Sequence, residues 1–204
     1  SLNPENFSVE FIGNILFHYL KKPLSEYKKF LSLENLLRLK EQIKSTRAFD
    51  LLKVVENELL KIKPNQKLLV ETSFNFPNVL GKEQNKKFLV VLDNFENLLD
   101  LNNFTQIKDI LSIINFDAEN VRYIATSSAV KECLALLKKF ECYEIKNLEK
   151  NDAFDLVENI IGKNEVNKEK ISSEIFSLCN GHPYVTVLTS KKYNEIKNSH
   201  RAFL

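Results

Sequence analysis

The stretch Lys86–Asp100, KKFLVVLDNFENLLD, constrains this chain more than any other. Two lysines lead into an apolar run, Phe88 to Leu92, and the run stops at Asp93 and Asn94. An apolar segment this short, rich in β-branched and aromatic residues, reads as a strand buried on both faces of a parallel sheet. The strand ends where its side chains cease to be apolar. A carboxylate at that end points into the crevice where open α/β sheets bind ligands. A second reading stays open, in which Asp93 is the N-cap of a following helix.

The surrounding pattern frames this strand. Phe7–Leu20 carries apolar residues at helical spacing, and Pro23 ends it. Leu24–Ile62 predicts two or three further helices, closed by Pro64. Leu68–Val70 reads as a short strand or a helix start, and Thr72–Gln84, with Pro77 and Gly81, reads as a mobile loop. From Lys86 the pattern alternates: strand Phe88–Leu92, helix Phe104–Ile114, strand Val121–Thr126, helix Val130–Lys139, short strand Tyr143–Ile145. After Leu148 only helices follow, at Asp152–Ile161, Glu169–Cys179 and Tyr184–Ile196. The expected architecture is therefore α/β, a parallel sheet with flanking helices in residues 1–148, then a small all-helical subdomain in residues 149–204.

Bulk properties exclude several function classes. The 204 residues carry a net charge of only +2, with no broad electrostatic footprint for nucleic acid. The small basic pairs Lys138–Lys139 and Lys191–Lys192 suit solvated faces. No apolar stretch approaches the roughly 18 residues of a membrane helix, and no signal peptide is apparent at Ser1. The three cysteines, Cys133, Cys142 and Cys179, form no CxxC pair, which points to a reduced, cytoplasmic setting. Neither Cys133 nor Cys142 has a neighbouring His or basic cluster to activate a thiol. His18, His182 and His200 lack partners at zinc-ligand spacing.

Two more motifs carry chemistry. Val121–Ser128, VRYIATSS, is a strand ending in hydroxyls. Such a cluster hydrogen-bonds a phosphate or a water, or else Ser127 or Ser128 caps the next helix. Cys179–Val187, CNGHPYVTV, places Gly181 where a helix needs a left-handed residue and Pro183 in the first turn of the next helix.

In this order and spacing, the three motifs resemble the STAND class of signalling ATPases, relatives of the AAA+ ATPases, and also the archaeal ATPase branch. VLDNFENLLD is similar to their Walker B segment, IATSS to their sensor strand, YEIKNLEKNDAFDLV to the stretch leading into the helical lid, and NGHPY to the lid's Gly-x-Pro motif. The resemblance covers about residues 86 to 188 and implies a P-loop NTPase-like core with its N-terminal strands missing. It implies that Asp93 holds Mg²⁺ through water, and that Asn94 and Glu96 stand in the catalytic neighbourhood. It further implies that Thr126 or Ser127 senses the γ-phosphate of ATP, and that Pro183 and His182 lie by the adenine.

Three departures accompany the resemblance. No two of the four glycines have the spacing of GxxxxGK[ST], so the phosphate-cradling loop is absent from these residues. Asn94 occupies the position of a catalytic acid and takes no proton from water. Ser128 replaces an arginine common in these regulators. The expected function is an ATP-dependent molecular switch in signal transduction, with protein partners or self-association. The alternative is a degenerate ATPase fold kept as a non-catalytic protein-interaction module. The chain alone is expected to bind ATP and Mg²⁺ only weakly.

Overall fold

Asn3 sets the first helix: its side-chain oxygen accepts from the Asn6 N–H at 2.7 Å, and Pro4 follows in the first turn. Helix α1 runs Pro4–Tyr19 and ends where Lys21 turns left-handed at φ 51° ahead of Pro23. The computed structural model describes residues 2–43, 45–129, 140–162 and 165–201. After α1 come a 3₁₀ helix, Leu24–Leu31, and three α-helices: α2 (Leu33–Leu37), α3 (Lys40–Ile43) and α4 (Thr46–Leu59). The Ser45 hydroxyl caps α4 by accepting from Ala48 N–H at 3.2 Å, and it donates to Glu83.

Helix α5, Gln66–Gln84, corrects the loop expected over Thr72–Gln84. Pro77 lies inside it and Gly81 near its end, the two residues that read as punctuation. A proline within a helix costs about 3 kcal/mol. Leu69, Val70, Phe74, Phe76 and Leu80 are all buried along this helix. At roughly 1.5–3 kcal/mol for each large apolar side chain, that burial exceeds the cost of Pro77 severalfold. Asn85 then ends the helix in the left-handed conformation at φ 49°.

Strand β1 is Phe88–Leu92, β2 is Val121–Ala125, and they pair in parallel, with Phe88 opposite Val121 and Leu92 opposite Ala125. Among the described residues this pair is the whole sheet. The expected P-loop NTPase-like α/β core is therefore not what the chain forms: the described residues are mostly helix, and two strands do not make a sheet that helices flank on both sides. Nor is β1 buried on both faces. Val90 and Leu92 are buried, but Leu89 and Val91 are 62% and 60% exposed, the alternation of a strand packed on one face.

Two other expectations are corrected. Phe104–Ile114 is not one helix. A 3₁₀ helix, Phe95–Asn103, precedes a single turn, α6 (Ile110–Ile113). Tyr143–Ile145 does not form a strand, and Tyr143 and Ile145 are exposed. The helix expected at Val130–Lys139, with Cys133, lies outside the described residues.

The chain divides into two units, Ser1–Glu141 and Cys142–Leu204. The first has two apolar clusters. One gathers Val90, Leu92, Phe95, Leu98, Leu101 and Val121 beneath the sheet. The other gathers Ile12, Leu16, Leu52, Val55, Phe76 and Leu80 between α1, α4 and α5.

The second unit is helical: α7 (Lys150–Ile161), α8 (Lys168–Cys179) and α9 (Pro183–Arg201), around Val157, Ile161, Ile171, Ile175 and Cys179. The corner between α8 and α9 is left-handed at both Asn180 (φ 47°) and Gly181 (φ 70°). A Cβ on Gly181 would run into the Leu148 carbonyl oxygen, because the Leu148 N–H donates to the Gly181 carbonyl at 2.9 Å. Leu148, where the sequence places its boundary, is thus bonded within the second unit.

Gly181→Ala should therefore lose more stability than Gly162→Ala. Gly162, at φ 99°, has nothing within 4 Å of its missing side chain. Left-handed backbone alone costs about 1–2 kcal/mol, and Gly181→Ala adds a clash with the Leu148 backbone to it, whereas Gly162→Ala carries backbone strain alone. Urea unfolding of both variants compares them, and equal losses would show that the Leu148 approach is unimportant.

Candidate functional site at the carboxyl ends of the strands

Parallel pairing at a constant offset brings the ends of β1 and β2 to one edge, with Asp93 beside Thr126. The ladder continues past both strands. The Thr126 N–H donates to the Leu92 carbonyl at 3.0 Å, and the Phe95 N–H donates to the Thr126 carbonyl at 2.8 Å. The Thr126 hydroxyl accepts from the Asn94 N–H at 3.2 Å and donates to the Asp93 carboxylate. One threonine thus satisfies the backbone of the turn that follows β1 and holds the carboxylate at its head.

That arrangement bears on the two readings of Asp93. Asn94, not Asp93, occupies the N-cap position of the 3₁₀ helix, in left-handed backbone (φ 49°, ψ 57°) and with no side-chain cap bond. Asparagine tolerates this conformation better than most residues. Asp93 is exposed and accepts from the Thr126 hydroxyl.

Glu96 lies one turn further on. Its Oε1 accepts from the Ser128 N–H at 3.2 Å and from the Ser128 hydroxyl at 2.8 Å. The Ser127 hydroxyl, which also accepts from the Ala129 N–H at 3.1 Å, contributes most to lowering the Glu96 carboxyl pKa, followed by Glu96's own backbone and Ser128. Together they hold it at about 2, against an ordinary 4.5. A carboxylate held this strongly in its anionic form is a poor general base. Ser127 and Ser128 are exposed at the same edge.

The remaining candidates lie in the second unit. His182 and Pro183 are exposed at the α8–α9 corner, where Pro183 opens α9 and the His182 N–H donates to the Cys179 carbonyl at 2.9 Å. The structure therefore gathers Asp93, Asn94, Glu96, Thr126 and Ser127 at one edge of the first unit. It presents His182 and Pro183 on the second. Sequence reasoning missed the grip of Glu96 on Ser128, which only the strand register and the 3₁₀ turn create.

Chemically, the edge offers hard oxygen donors: one exposed carboxylate and neighbouring hydroxyls. Mg²⁺ suits such a set, since it keeps several waters and takes one or two carboxylates. Asp93 would hold the ion, with Thr126 and Ser127 within the same edge. Among the described residues no group of three His, Cys, Asp or Glu side chains forms a closed metal cage. An ATP phosphate chain would have hydroxyls to meet here but neither the Gly-rich cradle nor a cation at Ser128. Among the described residues no helix is long and apolar enough to cross a membrane. No model of a known protein family, no curated protein and no solved structure matches the chain.

The depressed Glu96 pKa fixes a pH dependence. Its stabilising contribution is complete above pH 4.5 and is lost as pH falls toward about 2. The thermal midpoints of wild type and Glu96→Gln should differ most above pH 4.5 and converge at the acid end. A difference independent of pH would place the effect elsewhere than in this carboxylate.

Proposed function

We propose that the chain carries the metal- and phosphate-facing edge of an ATP-dependent signalling switch of the STAND kind, working in the cytoplasm with protein partners. The observation that supports this is the pairing of exposed Asp93 with Thr126 at the shared carboxyl edge of two parallel strands. The reading asks nothing of the sheet beyond these two strands. Asp93 holds water-coordinated Mg²⁺, and the Thr126 and Ser127 hydroxyls meet the terminal phosphate. Asn94 takes no proton, and Glu96 is bound to Ser128, so hydrolysis is slow and the nucleotide serves as a signal. The metal's part is to neutralise phosphate charge.

Without a Gly-rich cradle, Mg²⁺–ATP should bind these 204 residues no more tightly than roughly millimolar. Amide resonances of Asp93–Glu96 and Thr126–Ser128 should shift with millimolar Mg²⁺–ATP. They should not shift with ATP and a chelator, nor in Asp93→Ala. Shifts unchanged by Asp93→Ala would sink the reading. Because Asp93 is exposed, Asp93→Ala should change folding stability by less than about 1 kcal/mol.

A second reading, a non-catalytic protein-interaction module, has one observation in its favour. Leu89, Val91 and Ile124 share the outer face of the parallel pair and are 62%, 60% and 49% exposed. Parallel strands normally have both faces covered. If this reading holds, Val91→Ser abolishes partner capture while the nucleotide response of Asp93 stays absent in every variant.

A further inference from the structure

We propose that Glu96 is a positioning residue whose carboxylate clamps the Thr126–Ser128 turn to the 3₁₀ helix Phe95–Asn103, so that the hydroxyl end of β2 and this helix move as one piece. The inference rests on the reading of the edge as a phosphate-facing site for its use, but on geometry for its existence. The hydrogen bonds that cross from one segment to the other run along the whole turn. Phe95 N–H reaches the Thr126 carbonyl at 2.8 Å and Asn94 N–H its hydroxyl at 3.2 Å. Ser128 gives both its N–H, at 3.2 Å, and its hydroxyl, at 2.8 Å, to Glu96.

The first two contacts precede Glu96 and fix only Thr126. Beyond Thr126 the strand ladder is over, and Glu96 takes the next grip. A carboxylate suits the task because it accepts from several donors at once, and charge-assisted bonds are about twice as strong as neutral ones. The far side of the helix is anchored by Phe95, Leu98 and Leu101, all buried in the cluster beneath the sheet. Force applied at Ser128 therefore reaches a buried helix face directly through the Glu96 side chain. In a nucleotide switch this is the route by which phosphate contact at the β2 hydroxyls is passed into the core of the unit.

Three variants separate reach, charge and partner. Glu96→Asp keeps the charge and loses a methylene of reach. Glu96→Gln keeps the reach and loses the charge. Ser128→Ala, at an exposed position, removes one donor and tests the clamp where misfolding is least expected. In ligand-free protein the Ser128 amide should exchange about tenfold faster in Glu96→Asp, the factor expected when a hydrogen bond to a charged group is lost.

Ser128→Ala should shift the Leu98 and Leu101 amides, which a bond of purely local effect would leave in place. The Ser128 amide shift should follow carboxylate protonation at acid pH in wild type and not in Glu96→Gln. Unchanged Ser128 exchange in Glu96→Asp, with cooperative melting retained, overturns the clamp. Millimolar Mg²⁺–ATP should move Leu98 and Leu101 in wild type and less in Glu96→Asp. If Mg²⁺–ATP moves nothing in wild type, the nucleotide reading fails, while the ligand-free exchange still decides the clamp.

Discussion

The first unit depends on helix α5 serving two apolar clusters at once. Val70 and Phe74 face the cluster under the sheet, while Leu69, Phe76 and Leu80 face the cluster shared with α1 and α4. A two-stranded pair has little stability of its own in water. β1 and β2 persist because Val90, Leu92 and Val121 set their inner face into a cluster that α5 and the 3₁₀ helix complete. Close backbone approaches tighten the same framework. A side chain on Gly81 would come within 2.7 Å of the Lys86 carbonyl oxygen and 2.8 Å of the Asn120 Cβ, so α5 leads into β1 with no room for one.

This dependence explains what the sequence made legible. The bounds of β1 and of the helices in the second unit follow from local signals: an apolar run ending at a carboxylate, helical periodicity, and the Asn180–Gly181–Pro183 corner. α5 was hidden because Pro77 and Gly81 mark loops in isolation, and only burial on both sides of the helix offsets them. Phe95–Asn103 was hidden because a three-residue repeat does not register against a 3.6-residue template. Tyr143 and Ile145 are apolar yet exposed, so composition alone made them look like a strand. The α/β class rests on the alternation of strand-like and helix-like segments, and among the described residues only β1 and β2 form a sheet.

The site divides along the same line. Asp93 and Thr126 were visible because each ends an apolar run, and parallel pairing of two such runs places their ends together. Their bond to one another, and the four-way role of Thr126, depend on register, which no single segment encodes. Glu96 is the sharper case. From sequence it is a spare carboxylate near Asp93. In the structure the first turn of the 3₁₀ helix carries it across to the end of β2, where Ser127 first, then its own backbone and Ser128, hold its pKa at about 2.

The two carboxylates at this edge are thus held in opposite ways. Glu96 is committed to Ser128 and stays ionised far below its ordinary range. Asp93 is exposed, and its hydrogen-bond partner is a hydroxyl that also receives the Asn94 N–H. A hydroxyl yields to a cation more readily than a buried donor does, because water and metal replace it at little cost. The arrangement therefore keeps one carboxylate for the fold and leaves the other available. The Asp93 carboxylate and the backbone of the turn after β1 are thus joined through a single oxygen atom, Thr126 Oγ1.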